Sequence, residues 1–261
     1  VPHRNRLALA LLALVLWTAI TTWGIWRPAD PVALVDKVSA TIAWRVIGAG
    51  LFLAVLVRLA GWRDIGLTLP RVWPALRIFL LPSVYLLLFL AAVAVVGLPP
   101  APVVAVLVVN MLAVGFSEEL MFRGVLFAAL RTRLGLWPSV WASSALFGCV
   151  HLLNAFTTGQ PLAAAIQALT AFMTGVFFMA TVLRTGSLLP CMLYHAAWNF
   201  LLAAAAVAAV PPGEVQPGAP DNPLAYLLPM LLILPNFLYG LWLLRRLPPE
   251  ARDPAIRTRA T

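Results

Sequence analysis

Charge is nearly missing from this chain, and acid more so than base. Nine Asp and Glu stand against eighteen Lys and Arg in 261 residues, and charged residues make up only 10% of the whole. Seven of the nine acids fall in segments that read as loops or tails. Glu118 and Glu119 alone sit against long apolar runs. Cysteine is as sparse: Cys149 and Cys191 lie in different apolar runs, form no motif, and read as small buried apolar residues. No His-Glu-x-x-His or paired-cysteine ligand set is present, nor a Gly-x-Ser-x-Gly elbow or a P-loop. These absences remove the standard zinc site, the serine-hydrolase elbow and the phosphate cradle from consideration. Lysine is almost absent too, since seventeen of the eighteen basic residues are arginine. They are scattered at the ends of apolar runs, the pattern of topology determinants and headgroup contacts, so the net charge of +9 does not point to nucleic acid.

What remains is apolar. Hydrophobic residues make up 62% of the chain and mean hydropathy is +0.95. A hydrocarbon core of ~30 Å needs about 20 apolar residues per helix. The chain therefore reads as an all-α polytopic membrane bundle of about eight transmembrane helices, one transmembrane domain over residues 1–261 without internal repeat. The runs are Leu7 to Trp26 (too long for a signal peptide and read as retained), Trp44 to Ala60, Leu76 to Val96 and Val103 to Phe116. The later ones are Val140 to Phe156, Leu162 to Leu183, Leu188 to Val210 and Leu224 to Leu244. Arg27 to Thr41 and Pro211 to Pro223 read as loops, and residues 245–261 as a basic cytoplasmic tail. Gly135 is the expected C-cap of an amphipathic stretch from Glu119 to Arg133, and Ser187 the N-cap of the seventh run. With both termini in the cytoplasm, only Arg27, Lys37 and Arg45 lie outside, against fifteen basic residues inside. The arginine, alanine and proline bias suits a GC-rich bacterial genome, so the expected location is a bacterial plasma membrane.

An ionisable group at membrane depth is costly and marks a functional site by default. Glu118, Glu119, His151 and His195 are four such groups. Adjacent helical residues point about 100° apart, so the two glutamates cannot share a role. Glu119 and Arg123, four apart, are placed to pair and fix the helix rotation. Glu118 has no cation at helical reach, and an unpaired carboxylate in an apolar setting suits a general base. His151 follows Phe147 by one turn. His195 and Asn199 share a face and suit either an oxyanion or a metal ion. Ser117 reads as a cap or packing residue.

Three motifs together, Glu118-Glu119-x-x-x-Arg123, Phe147-x-x-x-His151 and His195-x-x-x-Asn199, resemble the CAAX protease and bacteriocin-processing (CPBP, or Abi) family of intramembrane endopeptidases. Phe172-x-x-Gly175 followed by Thr185-Gly186-Ser187-Leu188 resembles that family's helix break, and the Gly66-Leu67 loop does so more weakly. The resemblance covers residues 76–202, the expected catalytic core. It implies that Glu118 with His151 activates a water, that His195 and Asn199 stabilise the oxyanion, and that Glu119, Arg123 and Phe147 hold the site's shape. The cofactor is left open: a divalent metal such as zinc on Glu118, His151 and His195, or a metal-free glutamate mechanism. The implied partner is a membrane-embedded or membrane-anchored protein or peptide substrate, cleaved near the cytoplasmic leaflet. Two rival readings use the same helices: a non-proteolytic scaffold or bacteriocin-immunity-type protein, and a proton-coupled transporter, disfavoured because no repeat or pair of broken helices is visible.

Overall fold

The computed structural model describes residues 3–23, 33–70, 72–210 and 223–248. All regular structure in them is helical. That follows from a setting in which backbone polar groups find no water and must be satisfied within their own segment. The helices are α1 (His3–Thr21), α2 (Leu34–Ala40), α3 (Trp44–Ala60) and α4 (Val72–Val96). They continue with α5 (Ala101–Leu130), α6 (Leu136–Thr158), α7 (Pro161–Thr185), α8 (Leu189–Ala208) and α9 (Leu224–Arg245).

Each of the eight apolar runs forms a helix. By length and composition α4 to α9 give six candidate spans, and the bent pair α2 and α3 makes a seventh; α1 is apolar but shorter. The polytopic helical bundle read from the sequence is therefore what the chain builds. Leu59, Val95 and Leu80 stand on its exterior, largely exposed. An outer face of that kind needs hydrocarbon rather than water around it.

Three local expectations are corrected. The stretch read as a loop up to Thr41 contains α2, which meets α3 at an 80° bend. Asn110, fully buried on α5, causes the elbow to hold: its Nδ2 donates to the carbonyls of Val38 and Thr41, and its Oδ1 accepts from the Ala43 amide. Gly135 is not a C-cap; it has extended dihedrals and precedes α6, whose first turn holds Pro138. Ser187 lies one residue ahead of the N-cap position of α8, although its Oγ accepts from the Leu189 amide at 3.2 Å. Of the loop at 211–223 and the tail at 245–261, only Pro223 and residues 245–248 are described.

Two glycines set the helix spacing around the site. A Cβ on Gly115 of α5 would lie 2.5 Å from the Met192 carbonyl oxygen of α8. A Cβ on Gly148 of α6 would lie 2.6 Å from the Ala168 carbonyl oxygen of α7. Small residues let membrane helices approach to backbone contact, where packing supplies what the hydrophobic effect cannot. At one end of the bundle the two glycine-containing breaks dock together. The Leu188 amide donates to the Gly66 carbonyl at 2.8 Å, Thr68 Oγ1 to the Gly186 carbonyl at 3.0 Å, and Ser187 Oγ to the Thr68 carbonyl.

Candidate active site

The centre of the site is a buried charge network on α5. From Leu120 to Leu126 this helix is π-helical, and every residue of that segment is buried. Such widened turns are rare and recur at functional sites. The expected amphipathic helix over this stretch is thus corrected at Arg123. It is 2% exposed and takes no part in the charge asymmetry that sets topology. Its Nη1 donates to Glu119 Oε1 at 3.1 Å, and Glu119 is fully buried. The guanidinium also lies over the Phe147 ring, 4.1 Å from its centroid, and 5.3 Å from that of Phe178. Arg123 is held by charge on one side and by aromatic faces on the other.

Glu119 gathers three donors. Besides Arg123 it accepts from His195 Nδ1 at 2.8 Å and from the Cys191 thiol at 3.0 Å on its second oxygen. Both come from α8, which the glycine at 115 lets approach α5 closely. Cys191 is thus buried as expected but polar in use, whereas Cys149 is exposed, contrary to its reading as a buried residue. The bond at Nδ1 fixes the orientation of the His195 ring, so its Nε2 faces the other way, 3.8 Å from Glu118 Oε2. Glu118 is partly accessible, and that oxygen is buried with no hydrogen-bond partner.

His151 is oriented by similar logic on α6. A carbonyl oxygen can only accept, so the 2.7 Å contact with the Phe147 carbonyl puts the proton on Nδ1 and leaves Nε2 as a lone pair. Its ring meets that of Phe147 edge to face, with centroids 4.7 Å apart. Glu118 is near enough to interact with it electrostatically. Phe147 therefore touches both Arg123 and His151, consistent with its place in the motif.

Glu118, His151, His195 and Asn199 all line one cavity of about 1110 Å³. Four residues on three separate helices thus border the same cavity. Among the described residues, however, no three His, Cys, Asp or Glu side chains form a group placed to hold a metal ion. Glu118, His151 and His195 are not placed as a cation-holding set in this arrangement.

Several contributors are invisible in the sequence. Trp17 Nε1 donates to the buried Ser117 Oγ at 2.8 Å, so α1 braces the residue next to the glutamates. Ser117 is the packing residue it was read to be. Tyr194, adjacent to His195, donates its hydroxyl to the Pro82 carbonyl at 3.0 Å and ties α8 to α4. The Phe178 ring lies tilted beside that of His195, with centroids 5.3 Å apart. None carries a spacing signal, because each partner lies far away in sequence.

Helices of this length and apolarity, enclosing an ionised network beside a cavity, define a multi-pass membrane protein with a polar site sunk among its helices. Residues 100–201 match the family model Rce1-like, described as type II CAAX prenyl endopeptidase Rce1-like. That stretch contains all three motifs and every residue of the network. No curated protein and no solved structure matches the chain.

Proposed function

We propose that the protein is an intramembrane endopeptidase that hydrolyses a peptide bond of a membrane-associated protein or peptide. The observation that carries this reading is the convergence of Glu118, His151, His195 and Asn199 on one cavity, within the stretch that matches the Rce1-like family.

The chemistry follows from the proton positions. Glu118 presents a carboxylate oxygen with no hydrogen-bond partner, and His151 a lone pair at Nε2. A water held by the two loses its proton to Glu118 as its oxygen attacks the scissile carbonyl carbon. His195 already donates from Nδ1 to Glu119, so it can stabilise the resulting oxyanion only when Nε2 also carries a proton, as imidazolium. The Asn199 amide supplies a second donor. Collapse of the tetrahedral intermediate breaks the C–N bond, and Glu118 returns its proton to the departing amine. Glu119 and Arg123 touch no reacting atom in this scheme and position His195.

Exchanging Glu118 for Gln keeps the shape and removes the base. In cells lacking the gene, wild type and Glu118→Gln are restored in parallel and membrane-protein termini compared by mass spectrometry. New termini with wild type alone are expected. A folded Glu118→Gln protein with undiminished cleavage would overturn the mechanism.

A further inference from the structure

The cavity does not lead out of the bundle at the end where the sequence places the cytoplasm. That end is identified by contacts between chain segments. Arg6 pairs with Asp64 at 2.7 Å, the breaks at Gly66 and Gly186 dock together, and Arg184 donates to the Leu243 carbonyl. The start of α1, the α3–α4 connection, the α7–α8 break and the end of α9 are therefore neighbours. Arg6, Arg58, Arg184 and Arg245 belong to this end by their place on these elements, and the last turns of α5, which lead into Arg131 and Arg133, join them where Gly124 packs against Leu188 and the Ile65 carbonyl.

None of those segments lines the cavity. From Glu118 and His195 it runs the other way, to Thr21, Lys37, Thr41 and Arg45, to Asn154 and Thr157, and to Ala206 and Leu228. These are the end of α1, the α2–α3 elbow, the end of α6, the end of α8 and the start of α9. Polar groups mark the route: Asn154 donates to Gln167 at 2.9 Å, while Thr157 Oγ1 and Asn236 Oδ1 are buried without a partner. Unpaired acceptors of this kind are tolerated where water or a ligand reaches them. At this end Lys37 and Arg45 are the only basic residues, and Asp36 the only acidic one, among the described residues of those segments.

Basic residues mark the cytoplasmic ends of membrane helices. We propose that the site opens to the extracytoplasmic face, beside the α2–α3 elbow, and acts on polypeptide segments presented on that face. The side follows from the arginines and the cavity alone. The polypeptide nature of the substrate rests on the endopeptidase reading. This places the site out of reach of cytoplasmic chain ends and departs from cleavage near the cytoplasmic leaflet.

Two measurements separate these parts. In a Cys149→Ser background, Thr41→Cys and Thr157→Cys report on the mouth, and Leu134→Cys, 39% exposed, on the arginine-rich end. Bacterial spheroplasts producing each variant are treated with a membrane-impermeant charged maleimide before or after lysis. Both mouth variants should label in intact spheroplasts, and Leu134→Cys only after lysis. Labelling of Leu134→Cys alone before lysis would overturn the proposed side. Separately, termini that depend on wild type and are lost in Glu118→Gln should map to extracytoplasmic segments of membrane or exported proteins. Termini confined to cytoplasmic segments would overturn the substrate class. An absence of such termini would refute the endopeptidase reading, while the labelling still decides the side.

Discussion

At Arg123 one guanidinium, with two aromatic faces behind it, neutralises a carboxylate that has no access to solvent. Breaking a buried pair from one side leaves an uncompensated charge and costs about 3–5 kcal/mol. Arg123→Ala is expected to lose stability on that scale, read as a lowered thermal midpoint in detergent, with yield falling in step. A variant as stable as wild type would refute the structural role of the pair. The sequence revealed this pair through its spacing of four, because both partners sit on one helix. It gave no sign of the His195 bond to Glu119, which bridges residues 76 positions apart. The expectation that Glu118 stands without a cation held only along its own helix, since His195 approaches it from α8.

Among the elements, α5 and α8 matter most, because the glutamates and His195 face each other only if these helices nearly touch. Gly115 permits that approach. Gly115→Val must push against the backbone of Met192, and large side chains forced into tight packing cost about 1–3 kcal/mol. Widening this gap should stretch the Glu119–His195 contact and lower cleavage more than a comparable change on the lipid-facing side of α4, such as Val95→Leu. Assaying both at matched protein levels checks this, and equal activities would show that the α5–α8 distance does not govern the site. Helix α1 makes the complementary point: nothing in its composition marks it as part of the site, yet Trp17 reaches Ser117.

On the scale of the whole molecule, the arginine asymmetry and the cavity together give the bundle a direction. A fluorescent protein fused to the C-terminus should mature and fluoresce in a bacterial host, because α9 ends at the arginine-rich end. A dark fusion in which a periplasm-dependent reporter at the same position is active would invert the orientation. The outer surface, with Leu59, Val95 and Leu80 exposed, predicts that the protein extracts only with detergent.

The fold class was open to the sequence because hydrocarbon imposes a simple rule. Apolar runs of membrane length must be helical, so their presence and order could be read directly. The family motifs were likewise readable, since each lies within one helix, where a spacing of four fixes a shared face. The α2–α3 elbow was not, because it depends on Asn110 bonding to three backbone groups 67 to 72 residues away. The direction of the cavity was also beyond reach. It depends on which helix ends part and which close, a question of side-chain packing between segments that no local periodicity records.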